Sequence, residues 1–197
     1  MDDNKVKKGS LVIVSGPSGV GKSTICKTVV DRLKDVELSV SLTTRPRSNS
    51  ETDGQDYWFI SEDEFRKKVA AGGFLEHAEV FGHLYGTPRD KVEQMLDAGK
   101  TVILEIDVQG ARQVKALYPD AVMIFILPPT AKVLAERLKD RGRDDLDTAE
   151  ERLDGASAEI AAAWQYYEQM VINEDLQQAV DECVQIIRNA RAESEDK

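Results

Sequence analysis

A glycine-rich octapeptide near the start of the sequence constrains the fold of this chain more than any other feature. Residues 16–23 read GPSGVGKS, which matches the phosphate-binding pattern G-x-x-x-x-G-K-[ST] at every fixed position. The preceding run, Leu11–Ser15, has the character of a buried strand, and residues 22–34 have that of a helix. A strand, a glycine turn and a helix in this order form the context in which the motif binds nucleotide phosphates.

Each residue type in the octapeptide suits the binding of phosphate. The glycines let successive backbone N–H groups point at phosphate oxygens, and the helix that follows offers its positive end. Lys22 supplies a cation for the β- and γ-phosphates of ATP, and Ser23 supplies a hydroxyl for Mg²⁺. The alternative is a structural turn in which Lys22 is a solvated charge. The residues predicted to bind ATP here are Gly16, Pro17, Ser18, Gly19, Val20, Gly21, Lys22, Ser23 and Thr24.

Composition excludes several classes of protein. The chain has 197 residues, 41% of them hydrophobic, with no apolar run as long as a membrane span. Its first ten residues lack the apolar stretch of a signal peptide, so a cytoplasmic location is expected. The net charge of −10 argues against a nucleic-acid surface, and an acidic chain that binds nucleotides must concentrate its basic residues locally. The oligomeric state is left open.

Apolar strands that alternate with helices predict the fold class. Thr101–Ile106 and Ala121–Leu127 have the pattern of strands buried on both faces, and helical segments follow them. This predicts an α/β fold with three layers, a parallel core sheet between helices. Leu38–Thr44 is predicted as one further strand, and Thr87 as the N-cap of a helix. Residues 45–95 break the alternation, which predicts an inserted subdomain with its own sheet.

Acidic and basic residues supply further candidates. Glu105 and Asp107 lie at the carboxyl end of a predicted strand, where open α/β sheets bind ligands. Asp107 can hold Mg²⁺ through water or can cap the next helix, and both roles stay open. Arg137 and Arg141 are four residues apart on one helix face, and Arg152 follows. This cluster either neutralises charge during phosphoryl transfer or forms a solvated face paired with acidic neighbours.

Six segments in fixed order resemble guanylate kinase. They are GPSGVGKS at 16–23, SVSLTTR at 39–45, DYWF at 56–59, FLEHAEVFGHLYGT at 74–87, LEIDVQG at 104–110 and VIN at 171–173. Their order and spacing match the family from about residue 10 to residue 190. The resemblance implies transfer of the γ-phosphoryl group of MgATP to GMP, giving GDP and ADP, with Mg²⁺ as cofactor.

The resemblance also implies roles for individual residues. The positions that hold the guanine base are Ser41, Glu76, Thr87 and Glu105. The positions that hold the GMP phosphate are Arg45, Tyr57 and Tyr85. Arg137 and Arg141 match lid arginines that reach the ATP phosphates, and Arg152 matches an arginine near the transferring group. Lys22 and Arg45 complete the expected catalytic residues, and Asn173 matches a residue near the adenine. The family usually reads T-T-R-x-P-R, whereas residues 43–48 read TTRPRS, so Ser48 replaces the second arginine and Arg47 is expected to reach the phosphate through a shifted loop.

The chemistry of guanine supports Glu76 independently. Guanine carries donors at N1–H and at the N2 amino group, and a carboxylate can accept from both in a bidentate pair. Adenine lacks both donors and would leave a buried carboxylate unpaired, a loss that discriminates strongly. Taken alone, Glu76 would be an exposed strand residue, but the surrounding segment favours recognition of the base.

We predict a single guanylate-kinase-like domain with three parts. The parts are a core at about 10–41, 96–132 and 159–190, a GMP-binding insert at about 42–95, and a helical lid at about 133–158. Closure of the insert and the lid is expected to exclude water. The alternatives are a non-catalytic scaffold, which would not require the complete phosphate loop, and a P-loop kinase for another acceptor such as a ribose bisphosphate, against which Glu76 argues.

Overall fold

The computed structural model describes residues 8–140 and 146–195, which form nine strands and seven helices. The strands are β1 (Leu11–Ser15), β2 (Val36–Leu38), β3 (Leu42–Thr43), β4 (Trp58–Phe59), β5 (Phe74–Val80), β6 (His83–Pro88), β7 (Thr101–Glu105), β8 (Val122–Leu127) and β9 (Gln169–Ile172). The helices are α1 (Lys22–Arg32), α2 (Glu62–Ala70), α3 (Arg89–Asp97), α4 (Val108–Leu117), α5 (Ala131–Asp140), α6 (Leu146–Tyr166) and α7 (Leu176–Glu195).

The five-stranded sheet has the order β2-β7-β1-β8-β9, and its strands are parallel. Every residue of β1 is buried, and so are the first four residues of β7 and the central four of β8. Strands buried on both faces are typical of a parallel sheet covered by helices, which confirms the predicted α/β fold. The central strand β1 leads directly into the glycine-rich turn, so the sheet fixes the start of that turn.

The second sheet has four strands in the order β4-β3-β6-β5. Strands β5 and β6 form an antiparallel hairpin, whose two-residue turn consists of Phe81 and Gly82 with φ angles of 49° and 72°. Positive φ at both positions matches the twist of the flanking strands. Against this sheet packs α2, and the rings of Phe65 and Phe74 stack at 4.5 Å in a small core that includes Leu42. The predicted sheet within the insert is therefore present.

One predicted strand is wrong in its extent. Leu38–Thr44 was expected to be continuous, but β2 belongs to the five-stranded sheet and β3 to the four-stranded one. Between them, Ser39 N donates to the carbonyl of Ile103, whereas the carbonyl of Ser41 accepts from Trp58 N. Apolar and polar residues alternate through the whole stretch, so the pattern does not reveal where the chain changes sheets.

The predicted helix start at Thr87 is also wrong. Thr87 lies in β6, and α3 begins at Arg89 with Pro88 as its N-cap and no side-chain cap. The hydroxyl that was expected to cap the helix instead donates to Glu76 across the hairpin. A tertiary partner thus outcompetes the local one.

By its internal contacts the chain divides into two compact units. The first unit comprises the chain up to Leu11 with Asp35–Leu104 and Gln109–Ala121, and the second comprises Val12–Lys34, Glu105–Val108 and the chain from Val122 onward. None of the helices in the described part of the chain combines the length and apolarity needed to cross a membrane.

Candidate active site

The glycine-rich turn of the second unit adopts a backbone that side chains would obstruct. Gly21 has φ +102°, and a Cβ atom there would stand 2.5 Å from Nδ2 of Asn173. Gly16 has φ +150°, and its Cβ would stand 2.5 Å from the carbonyl oxygen of Ile126. Both positions require glycine for backbone conformation and for close approach. Helix α1 begins immediately afterwards, so its free N–H groups face the turn.

Lys22 lies over this turn. Its Nζ donates to the carbonyl oxygen of Pro17 at 3.1 Å and to that of Gly16. Carbonyl oxygens of the loop therefore hold the ammonium group beside the N-terminus of α1. The lysine supplies a positive charge at the place where an anion would meet the helix.

Two acidic residues lie in the same unit as the turn, Glu105 as the last residue of β7 and Asp107 just after it. The hydroxyl of Ser23 donates to Glu105 Oε1 at 2.7 Å, which joins the end of the octapeptide to the end of β7. Asp107 directly precedes α4, so its position suits either of the roles left open. Hydroxyl and carboxylate oxygens of this kind are the ligands that Mg²⁺ prefers. Among the described residues, no group of three His, Cys, Asp or Glu forms a metal cage.

Arg137 and Asn173 hold the glycine-rich turn at Val20. Asn173 is buried, and its Nδ2 donates to the carbonyl oxygen of Val20 at 2.7 Å, while its backbone N–H donates to Leu127 at the end of β8. Arg137 donates from Nη2 to the carbonyl of Asn173 at 3.1 Å and from Nη1 to that of Val20 at 3.4 Å. Both side chains therefore shape the turn, a structural contribution that the sequence did not predict.

Glu159 on α6 was missed by the sequence reasoning. Burial raises the pKa of its carboxyl to about 7. The negative charge of Asp107 adds to this rise, whereas the positive charge of Lys22 opposes it. The pKa of Glu159 is thus sensitive to charges at the glycine-rich turn and just after β7. The signal in the sequence is weak: a single acid within the run GASAEIAAA of small and apolar residues.

In the first unit, Arg45 is the centre of a polar cluster. Its Nε donates to the hydroxyl of Tyr85 at 3.2 Å, and its guanidinium lies over the ring of Tyr57 with the carbon atom 5.5 Å from the centroid. Glu51 pairs with the same guanidinium at 2.7 Å. Burial alone would raise the pKa of Glu51, but the hydrogen bonds from Arg45 and Ser48 outweigh it and lower the pKa to about 2. Three residues predicted to bind one phosphate thus lie together, with a carboxylate that was not predicted.

Glu76 and Thr87 face each other in the hairpin of β5 and β6. They are register partners, and the hydroxyl of Thr87 donates to Glu76 Oε1 at 2.6 Å. Glu76 is 4% exposed and Thr87 is fully buried. Because a buried carboxylate must be paired with donors, such an acid is rarely an incidental surface residue.

The remaining predicted residues have less defined surroundings. Ser41 is half-buried between β2 and β3, and Arg47 is exposed on the loop after β3. Arg141 lies outside the described residues. Arg152 belongs to α6, but its side chain also lies outside the described part of the structure.

Comparison with known proteins decides the family. A family model described as guanylate kinase matches residues 8–190. The chain is 48% identical over 172 residues to the guanylate kinase of Thermosynechococcus vestitus, covering 87% of this chain and 90% of that protein. The chain belongs to the guanylate kinase family.

A second guanylate kinase, from Thermotoga maritima, is 46% identical over 185 residues, which cover 94% of this chain and 89% of the other. The crystal structure of guanylate kinase from Anaplasma phagocytophilum matches with a TM-score of 0.78 and 33% identity, over 93% of this chain and 86% of that one. The chain is thus a nucleoside monophosphate kinase with guanylate kinase activity, which converts ATP and GMP to ADP and GDP. The predicted family, fold class and activity are confirmed.

Proposed function

We propose that this guanylate kinase recognises the guanine base through the buried carboxylate of Glu76. Glu76 is 4% exposed and accepts a hydrogen bond from Thr87, so its carboxylate lies in a site poor in water. Guanine offers N1–H and the N2 amino group to such an acceptor, and adenine offers neither. Ser41 supplies a hydroxyl donor for O6 or N7. The single hydroxyl proton of Thr87 is donated to Glu76, so Thr87 holds the carboxylate and is not a donor to the base, contrary to the role expected for it. The family resemblance also assigns Glu105 a contact with the base.

The phosphate of GMP is bound by the cluster around Arg45. Arg45 and the hydroxyl of Tyr85 are already hydrogen-bonded to each other, and Tyr57 lies beside both. A guanidinium with a neighbouring phenol matches the geometry and charge of a phosphate monoester. Arg47, exposed on the same loop, adds a second cation when the loop shifts toward the ligand.

The phosphates of ATP are bound by the glycine-rich turn and Lys22. Backbone N–H groups among residues 18–24 and the ammonium of Lys22 bind these phosphates, while Pro17 has no N–H to contribute. Arg137, Arg141 and Arg152 neutralise the charge on the transferring group, and Asn173 lies near the adenine. The acceptor oxygen of GMP is already anionic, so transfer proceeds in line without a strong base.

Mg²⁺ is the cofactor that the site fits. Ser23 and Asp107 provide oxygen donors in one unit, and Glu105 accepts from the Ser23 hydroxyl at 2.7 Å. Mg²⁺ usually takes only one or two protein ligands and fills the rest with phosphate oxygens and water, which suits so sparse a set. When bound, the ion neutralises charge on the β- and γ-phosphates.

We also propose that the chain is divided into a core at about 10–41, 96–132 and 159–190, a GMP-binding insert at about 42–95 and a lid at about 133–158. ATP and GMP are the partners, without nucleic acid or membrane. A cytoplasmic location is supported by Cys26 and Cys183, which are buried free thiols.

An assay of ADP release across a panel of acceptors tests the proposal. The panel contains GMP, AMP and ribose bisphosphates at equal concentration with MgATP. We expect turnover with GMP to exceed that with AMP by roughly 10⁴-fold, because a site built around hydrogen bonds rejects analogues that leave them unmade. Equal use of AMP would remove Glu76 from base recognition, and preference for a sugar phosphate would point to another P-loop kinase. Nucleotide binding without turnover would point to a scaffold.

A further inference from the structure

The hydrogen bonds of Arg45 divide its guanidinium into two edges. Nε donates to the Tyr85 hydroxyl at 3.2 Å, and Nη1 donates to the Pro46 carbonyl at 3.0 Å. Glu51 accepts end-on, with Oε2 at 3.1 Å from Nη1 and Oε1 at 2.7 Å from Nη2. Four of the five N–H groups therefore donate to described residues. The fifth is the second N–H of Nη2, which shares an edge with Nε.

This arrangement leaves one edge available to an anion. The edge formed by Nε and Nη2 has the remaining N–H, and the hydroxyl of Tyr85 lies beside it as the acceptor of the Nε hydrogen bond. That hydroxyl accepts from Nε and keeps its own proton for donation. Arginine binds phosphate through two neighbouring donors of this kind. We propose that Glu51 is a positioning residue that fixes Arg45 with this edge, together with the Tyr85 hydroxyl, directed at the phosphate of GMP.

Ser48 holds Glu51 in place. Its backbone N–H and its hydroxyl donate to Glu51 Oε2 at 2.9 Å and 2.8 Å, and its carbonyl accepts from the backbone N–H of Glu51. The side chains of Glu51 and Arg45 are only 12% and 23% exposed. Ser48 occupies the position at which the family usually has a second arginine. In this chain that position secures the carboxylate instead of adding a cation.

The contrary reading is that Glu51 imitates the phosphate and must leave before GMP binds. Two observations argue against it. Departure would break four hydrogen bonds, two from Arg45 and two from Ser48. Arg45 would stay where it is, because its guanidinium also lies over the rings of Tyr57 and Phe59 at 5.5 and 5.9 Å. We therefore assign Glu51 a permanent place in the phosphate site, and it does not have to leave before GMP binds.

The role of Glu51 rests on the proposed binding of the GMP phosphate by Arg45, so the experiment varies both residues. Steady-state kinetics are measured for Glu51→Gln, Arg45→Ala and the double variant, with GMP and ATP varied in turn. Glu51→Gln places an amide N–H₂ against the guanidinium and should raise KM for GMP roughly tenfold, leaving KM for ATP unchanged. In the Arg45→Ala background the same change should have less than about a twofold effect, because Glu51 acts through Arg45.

The matched control is Glu62→Gln, which removes an exposed ion pair with Arg66 on α2 of the same unit and should leave both KM values unchanged. Ser48→Ala is a second variant for the case that Glu51→Gln does not fold. It deletes one hydrogen bond to the Glu51 carboxylate and should raise KM for GMP roughly threefold. An unchanged or lowered KM for GMP in Glu51→Gln, with a raised KM in Arg45→Ala, would overturn the role of Glu51 alone. An unchanged KM in Arg45→Ala would overturn the proposed phosphate site as well.

Discussion

The hydroxyl of Thr87 donates a 2.6 Å hydrogen bond to Oε1 of Glu76 across the hairpin of β5 and β6, and both side chains are buried. Because the two residues are register partners, the strand pairing itself sets their distance. The acceptor is thus placed by the backbone ladder rather than by a mobile loop. A carboxylate positioned in this way can select its ligand by the donors that the ligand offers.

Replacement of Glu76 by Gln should weaken GMP much more than ATP. The amide presents a donor where the carboxylate had an acceptor, so one hydrogen bond to guanine is lost and a donor faces a donor. We expect KM for GMP to rise by roughly 10- to 100-fold, with KM for ATP within about twofold of the original value. Glu79→Gln, an exposed site on the same strand, is the control. Equal changes in the two KM values would argue against recognition of the base by Glu76.

Replacement of Lys22 by Ala should abolish most turnover without unfolding the protein. Within the described part of the chain the ammonium donates to two loop carbonyls, and Ala is favourable at the start of α1. We expect kcat to fall by roughly 100-fold or more, because a cation that stabilises the transferring phosphoryl group is lost. Thermal melting and kcat are measured together, with Lys27→Ala on the exposed face of the same helix as control. Near-normal turnover would disprove the role given to the lysine.

Replacement of Gly21 by Ala should destabilise the glycine-rich turn. Its φ of +102° strains any side chain, and the new Cβ would stand 2.5 Å from the Nδ2 atom with which Asn173 holds Val20. We expect a loss of about 2 kcal/mol in the free energy of unfolding and a raised KM for ATP. Gly155→Ala on α6, where no atom of the described residues lies within 4 Å of the added methyl group, should instead stabilise by about 0.5–1 kcal/mol. Urea unfolding measures both, and effects of the same sign would contradict the assigned geometry.

The stability contributed by Glu51 should depend on pH in a defined direction. Its pKa in the folded protein is about 2, below the ordinary value of 4.5, so the ionised carboxylate stabilises the fold. The contribution is complete above about pH 4.5 and is lost as the pH falls through 2. Glu51→Gln should therefore cost about 1 kcal/mol at pH 7 and progressively less between pH 4.5 and 2. Urea unfolding at several pH values tests this, and a constant difference across that range would count against the ion pair.

The parts of the structure that follow from contiguous residues were predictable. The octapeptide at 16–23 carries its whole pattern in eight positions, and the buried strands around it carry theirs in five or six. The change of sheet between Leu38 and Leu42 was not predictable, because both strands continue one alternation of apolar and polar residues. Tertiary competition was also hidden: Thr87 has the local pattern of a helix cap, yet its hydroxyl has a stronger acceptor across the hairpin.

Contacts within the site were predictable only where the type of residue indicates the group that it binds. The cluster of Arg45 with Tyr85 was expected from residue roles, but its pairing with Glu51 depends on the path of a loop that the sequence does not specify. The hydrogen bonds that Arg137 and Asn173 make to Val20 join residues separated by 117 and 153 positions. Residues so far apart in the sequence share no helical or strand periodicity, so the pattern of the sequence could not predict these contacts.

The bond from Asn173 to Val20 has a consequence for synthesis of the protein on the ribosome. The first strand, the octapeptide and α1 emerge early, but the amide that fixes the carbonyl of Val20 lies 153 residues later. The glycine-rich turn is therefore completed only after translation has passed Asn173. Nascent chains that stop before β9 contain every residue of the phosphate motif but lack the Asn173 side chain that holds Val20. We therefore expect affinity for ATP to appear late in elongation.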